Sequence, residues 1–253
     1  MSFERAIRAA KAASIRRHLR TIVRKSMNVT TSGMLKEGMS EPSVFERFPR
    51  TKEPLETGIL VNSIAVMIDL SPFSQAVAES DASDIHDLLS GYYDAIVPRI
   101  EDNGGVVEKY IGDAVVALFG APFGTDQTDA KHLEAAFRAA RQSIAAVAEL
   151  YAGELLAKAA ISSGEMFLGY VGPATHSELT AVGNPLTMLY RLEDLAEPNE
   201  VLLPADLYDE MSTKDASPQS APRLPGSTWQ PVRESVPLRG VGNVQIVRCR
   251  VAV

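Results

Sequence analysis

The sequence predicts an α+β fold: a ferredoxin-like βαββαβ core with additional C-terminal strands, preceded by an N-terminal helix. Two observations predict it. Strand-length apolar runs alternate with two longer segments of helical periodicity in the order β-α-β-β-α-β. In addition, the middle pair of strands is separated only by Gly112-Asp113, a turn that makes them a hairpin.

Residues 1 to 25 carry eight Lys or Arg against one Glu, with Ile7, Ile15, Leu19, Ile22 and Val23 near helical spacing. This is a basic amphipathic helix. It can pack against its own or a partner domain, lie on an anionic membrane or touch nucleic acid. Its Arg-rich start also mimics an organelle transit peptide, but Glu4 and the continuous linkage to the domain argue against that. Residues 26 to 58, with Pro42, Pro49 and Pro54, read as an irregular connector, so the expected division is 1–58 and 59–253.

Ser63 to Ile68 is the first strand, with Asp69 just past its end. The segment from Ala82 to Glu101, with Ile85, Leu88, Leu89, Tyr92 and Ile96, is helical and ends at Asn103-Gly104-Gly105. Val106 to Ile111 and Ala114 to Phe119 form the hairpin, and residues 128 to 151 give a second long helix. Ala157 to Ser162 returns as a strand, followed by the segment Gly164 to Gly172. Val201 to Leu203, a Pro- and Ser-rich loop from Ser212 to Ser227 and a terminal alternating strand over Val244 to Val251 complete the domain.

Composition excludes several classes. With 253 residues and 45% hydrophobic content, the chain can bury a full core. A formal charge of −7 and a pI near 5.2 argue against a nucleic-acid binder, which needs a basic face for phosphate. The lone Cys249, in an alternating strand, excludes an intrachain disulfide and fits a reducing cytosol. No stretch approaches the ~20 apolar residues needed to span a bilayer, and no signal peptide is evident, so a cytoplasmic protein is expected. His18, His86, His132 and His176 sit in no metal-ligand spacing, and no Walker loop or Ser-His-Asp constellation is legible.

Asp69, after a buried strand, and Asp113, at a Gly-Asp turn, are held on rigid backbone where their carboxylates can converge. Paired carboxylates suit hard divalent cations, which prefer oxygen ligands and clamp phosphate oxygens. A helix cap and an ordinary turn residue are the alternative, since turns favour Asp.

Four blocks in order carry a resemblance: Asp69–Ser74 (DLSPFS), Gly104–Pro122 (GGVVEKYIGDAVVALFGAP), Ser163–Gly172 (SGEMFLGYVG) and Val182–Leu192 (VGNPLTMLYRL). They resemble the class III nucleotidyl cyclases, from about Ile64 to about Val251. The Gly-Gly-Asp/Glu-Glu-Phe signature of the guanosine dinucleotide cyclases is absent. The resemblance implies the class III cyclase fold over 59–253 and conversion of a nucleoside triphosphate to a 3′,5′-cyclic nucleotide and pyrophosphate. It implies two divalent cations, Mn2+ or Mg2+, at Asp69, Leu70 and Asp113.

It also implies that the backbone near Phe73 and Ser74 cradles phosphate, although Pro72 stands where relatives carry Gly and removes a donor. Phe73 itself reads equally as a packing residue. Lys109 and Thr180 match the base-reading pair of adenylate-forming members. Arg191 matches the arginine that steadies the transition-state phosphate, and Thr187 stands where an asparagine positions ribose. Arg239 matches a lysine that binds the terminal phosphates; a surface strand residue is its alternative.

Relatives build their sites between subunits, so a chain holding both residue sets implies a head-to-tail homodimer with two sites. A soluble cyclase domain with altered phosphate and ribose positions looks like the pyrimidine cyclases of bacterial antiphage signalling, which use UTP or CTP and act through a downstream effector. A pyrimidine substrate is therefore the expectation by a slight margin, and the adenylate-type look of the Lys109 and Thr180 pair makes ATP, giving cyclic AMP, the alternative. A catalytically silent nucleotide-binding module is the further alternative.

Overall fold

The structure is a computed structural model that describes Phe48 and residues 52–73, 77, 80–123, 125–173, 175–213 and 231–253. The expected basic helix over 1–25, most of the connector, Ser74 and the Pro- and Ser-rich loop after Thr213 lie outside the described residues. The elements are α1 (Lys52–Thr57), β1 (Ile59–Ser71), α2 (Ala82–Asp102), β2 (Val106–Ile111), β3 (Ala114–Phe119), α3 (Ala130–Leu150) and β4 (Leu156–Val171). They continue as β5 (Glu178–Val182), α4 (Asn184–Leu195), β6 (Glu200–Pro204), α5 (Ala205–Thr213), β7 (Val232–Leu238) and β8 (Gly242–Arg250).

The strands form one sheet in the order β2-β3-β1-β4-β6-β8-β7, with β5 paired to β4. Successive strand residues point to opposite faces, and the sheet is apolar on both. Ile64, Val66, Ile68 and Leu70 of β1 pack towards α2 and α3, which contribute Leu88, Tyr92, Ile96, Leu133 and Phe137. Ala65 and Met67 face the other way, against Leu55 of α1 and Leu186, Leu189 and Leu192 of α4. Each large apolar side chain so buried stabilises the fold by about 1.5–3 kcal/mol.

Local sequence fixes the helix boundaries. Asp129 caps α3 by accepting from the backbone of Lys131 and His132, and its own N–H donates to His132 Nδ1. Pro185 opens α4, where a missing N–H costs nothing. At the far end of the sheet, Arg248 pairs with Glu200 at 2.8 Å and Arg250 with the same carboxylate at 3.1 Å, joining β8 to β6.

Several boundaries differ from the sequence-based expectation. The first strand extends well beyond Ser63 to Ile68, so Asp69 lies within β1 rather than past its end. Its extra length comes from pairing with β4, register Ile59↔Leu168 to Ser71↔Leu156. The expected strand Ala157 to Ser162 and the segment after it are one strand, β4. The connector is not irregular throughout: α1 seats Leu55, fully buried, against the domain. Helices α4 and α5 and strands β5 and β7 were not expected from periodicity, and α5 takes in the first residues assigned to the Pro- and Ser-rich loop. Cys249 is buried in β8, where burial pushes its thiol up, away from reactivity.

Candidate active site

Alternation along β1 puts Asp69 on the α4 face of the sheet, with Ala65 and Met67. Lys158 is its register partner on β4 and faces the same way. Asp113 arrives from the β2–β3 hairpin, whose turn uses Gly112 at φ +62°, a left-handed conformation that glycine adopts without strain. The two aspartates come within hydrogen-bonding reach of each other.

Two further residues join them. Glu193 of α4 reaches Asp69, and Lys158 Nζ lies 2.7 Å from Glu193 Oε1 and 3.8 Å from Asp69 Oδ2. Burial first, then the charges of Asp113 and Glu193, push the Asp69 carboxyl up to about 8, with Lys158 acting the other way. Asp113 is also pushed up, chiefly by burial. Three carboxyl groups set against the Lys158 ammonium on a partly buried surface favour proton uptake by Asp69.

The carboxylates are held from behind. Tyr92, fully buried on α2, donates to the Ile68 carbonyl at 3.0 Å, one residue before Asp69. Tyr93 donates to the Gly112 carbonyl, one residue before Asp113, and packs at a tilt against Tyr110 with ring centroids 4.7 Å apart.

Such a pair fits divalent cations: two adjacent carboxylates in a low-dielectric setting repel each other until positive charge sits between them. Asp69 and Asp113 would hold the ions. Leu70, whose side chain is buried in the α2–α3 core, has only its backbone carbonyl to add. Among the described residues no group of three or more His, Cys, Asp or Glu side chains is arranged to hold a metal ion, so Glu193 stands beside the pair rather than completing a cage.

The remaining expected residues lie elsewhere. Thr187 and Arg191 are one turn apart on α4 and share a face, while Glu193 is two residues beyond Arg191 and points to the opposite side. Arg191 pairs with Asp194 at 3.5 Å, and its buried Nε has no hydrogen-bond partner among the described residues. Helix α4 therefore turns Glu193 into its own aspartate site and Arg191 away from it. Phe73 packs against the α2–α3 core, as its packing alternative requires. Arg239 is exposed, and it occupies the turn between β7 and β8 rather than a strand.

Lys109 and Thr180 do meet: Lys109 Nζ donates to Thr180 Oγ1, although β2 is an edge of the sheet and β5 pairs only with β4. A bulge makes this possible. The β2–β3 register shifts between Val107 and Lys109, leaving Glu108 as the extra residue. A bulge lets two consecutive side chains reach the same face. Glu108 Oε1 accepts from the Thr180 hydroxyl and from the Ala181 N–H, each at 2.9 Å, and lies 3.2 Å from Lys109 Nζ. Glu108, Lys158 and Glu193 were absent from the sequence reading. Lys158 did carry a signal, a single charge in the apolar run Leu155–Ile161.

This chain has the class III nucleotidyl cyclase fold. It superposes on the adenylyl cyclase CyaB of P. aeruginosa with a TM-score of 0.63 and 20% identity, covering 78% of this chain and 97% of that one. It also superposes on the guanylate cyclase domain of RhGC from Catenaria anguillulae, a structure in complex with GTP, with a TM-score of 0.63 and 18% identity over 77% of this chain and all of that one. In sequence it is 29% identical over 182 residues to an uncharacterised protein of Mycobacterium tuberculosis, covering 71% of this chain. The chain spans about a third of the length of the curated relatives it matches, 31% in that case. No family model matches the sequence. Among the described residues no helix is long and apolar enough to cross a membrane.

Proposed function

We propose that the chain is a nucleotidyl cyclase that converts ATP to a 3′,5′-cyclic nucleotide and pyrophosphate. The observation that carries this reading is the convergence of Asp69 and Asp113 beside Lys158 and Glu193, on the fold of the nucleotidyl cyclases.

Cyclisation requires an alcohol to lose its proton while charge builds on phosphate. Two divalent cations, Mn2+ or Mg2+, bound at Asp69 and Asp113 would supply both, acidifying the ribose 3′-hydroxyl and neutralising the triphosphate. The remaining tasks fall to side chains. Lys158 holds Glu193 at 2.7 Å, which limits the negative charge around Asp69. Arg191, directed away from its own aspartates, serves the partner's site in a head-to-tail homodimer and steadies the transition-state phosphate there. Thr187, on the same face of α4, positions ribose with one hydroxyl, and Arg239 contacts the terminal phosphates. Phe73 serves by packing rather than by touching substrate.

The contact between Lys109 and Thr180 favours ATP. The pyrimidine reading, with UTP or CTP and a role in antiphage defence, rests on the altered positions Pro72 and Thr187 and on the look of a stand-alone domain, and the chain's span of a third of its relatives withholds the second of these supports. Purified protein given ATP, GTP, UTP and CTP separately with Mn2+ tests the reading. Cyclic AMP as the main product supports it, and cyclic UMP, cyclic CMP or cyclic GMP as the main product rejects the choice of base. The absence of product from any triphosphate rejects the enzyme and leaves a silent binding module.

A further inference from the structure

The two aspartates are anchored unequally. Asp69 lies inside β1, paired with Lys158 of β4, and the residue before it, Ile68, is paired with β3 as well. Asp113 sits instead on a turn that leaves the sheet. The outer strand of its hairpin, β2, is an edge of the sheet and carries a bulge between Val107 and Lys109. Ile111 and Gly112 are exposed, and among the described residues nothing beyond the chain neighbours lies within 4 Å of where a Gly112 Cβ would stand. Packing therefore does not fix the turn at Gly112. The Asp113 carboxylate accepts from its own backbone N–H, so it goes where the turn goes.

Tyr93 reaches that turn. Its hydroxyl donates to the Gly112 carbonyl, and its ring packs against Tyr110 on the strand leading into the turn. The helix that carries Tyr93 is tied down on two sides by buried hydroxyls. Tyr92 donates to the Ile68 carbonyl of β1 at 3.0 Å, and Tyr151, at the end of α3, donates to the Leu88 carbonyl of α2 at 2.7 Å. Tyr92 and Tyr93 are neighbours, so one peptide unit of α2 links the backbone ahead of Asp69 to the backbone ahead of Asp113.

Carboxylates that share divalent cations must stay close, although they repel each other while no ion lies between them. The repulsion acts on the weaker anchorage, which is the exposed turn. We infer that Tyr93 is a positioning residue for cation binding: its hydroxyl, acting through the Gly112 carbonyl, keeps the Asp113 carboxylate where it can share an ion with Asp69. This inference rests on the metal pair of the cyclase reading and deepens it. Groups that orient metal ligands from behind are worth about 10–100-fold in metal affinity.

Mn2+ binding to the full chain, read from the electron paramagnetic resonance signal of the free ion, provides the test on wild type, Tyr93→Phe, Asp113→Asn and the double variant. Tyr93→Phe keeps the ring and deletes the hydroxyl. It should weaken Mn2+ binding by about tenfold, while its melting temperature without metal stays near that of wild type. In the Asp113→Asn background the same change should alter Mn2+ affinity by less than about twofold, because no carboxylate is left for the hydroxyl to place. Equal affinities of wild type and Tyr93→Phe, or a loss of the same size in the Asp113→Asn background, overturn the inference and leave the cyclase reading standing. A Tyr93→Phe chain that melts well below wild type or fails to fold makes the hydroxyl a structural bond and overturns the inference too. Wild type that binds no Mn2+ overturns the inference and the metal pair together.

Discussion

Tyr92 donates to the backbone carbonyl of Ile68 at 3.0 Å, which pins α2 to β1 one residue ahead of Asp69. The next residue, Tyr93, does the same for the carbonyl ahead of Asp113. One helix thus sets the position of both carboxylates. Tyr92 is fully buried, so Tyr92→Phe, which deletes only the hydroxyl, should lower stability by about 1 kcal/mol. The hydrogen bond of Tyr93 is exposed, and Tyr93→Phe should stay within about 0.5 kcal/mol of wild type. Urea unfolding of the two variants checks the difference, and the order reversed would contradict the arrangement.

Asp69 links the site to pH. Its carboxyl titrates near 3.8 when unfolded and is pushed up to about 8 in the folded chain, so the native state holds the proton more tightly. A group raised in this way contributes stability below its unfolded value and loses it as pH climbs through the folded one. Without added metal, wild type should therefore lose stability relative to Asp69→Asn as pH rises from about 4 to about 8. Mn2+ should raise the melting temperature of wild type more at pH 8 than at pH 5, because the ion replaces the lost proton. Thermal melts across that range, with and without Mn2+, check both signs. A melting temperature of Asp69→Asn that falls relative to wild type over the same interval would rule out the cause assigned here.

Lys158 stands between two carboxylates and is only 15% exposed. Its ion pair with Glu193 matters most when one member is removed, because the other charge is then left partly buried and alone. Lys158→Met should destabilise the protein by about 3 kcal/mol. Adding Glu193→Gln to that variant should recover a large part of the loss. A double-mutant cycle in urea measures the coupling, and purely additive losses would show that the two residues act separately.

The hairpin Val106–Ile111 and Ala114–Phe119 was legible to the residue, because a fully apolar β3 abuts a Gly-Asp turn. The two long helices came within one or two residues for a similar reason, since their core-facing stripes are long enough to show a period. Strand β1 was read too short: its first residues alternate between half-buried and exposed, so the apolar run marks only the part covered on both faces. Helix α4 hid inside a block read for its residues, and β7 is mostly exposed and lacks an apolar run. At the site, each aspartate was visible as an acid next to an apolar strand. Glu193 was not, and the lone charge of Lys158 in its apolar run did not say what it faces, because a β-register partner and a helix packed over the same face of the sheet are set by tertiary structure. Glu108 was hidden by the bulge, which breaks the alternation that strand reading relies on.

The opposite directions of Glu193 and Arg191 on α4 decide how two damaged chains should behave together. In the proposed head-to-tail dimer, each site takes its aspartates from one protomer and its arginine from the other. Asp69→Asn and Arg191→Ala should each be inactive alone. In a heterodimer of the two, one site combines both defects and the other combines both intact halves. Random assortment of equal amounts makes half of the dimers mixed, so the mixture should recover about a quarter of wild-type turnover. The assay is cyclic nucleotide formation after mixing, with the concentration dependence followed to confirm that exchange has occurred. If each site were built within one protomer, no pairing of the two variants would assemble an intact one, and turnover would remain at the level of the single variants.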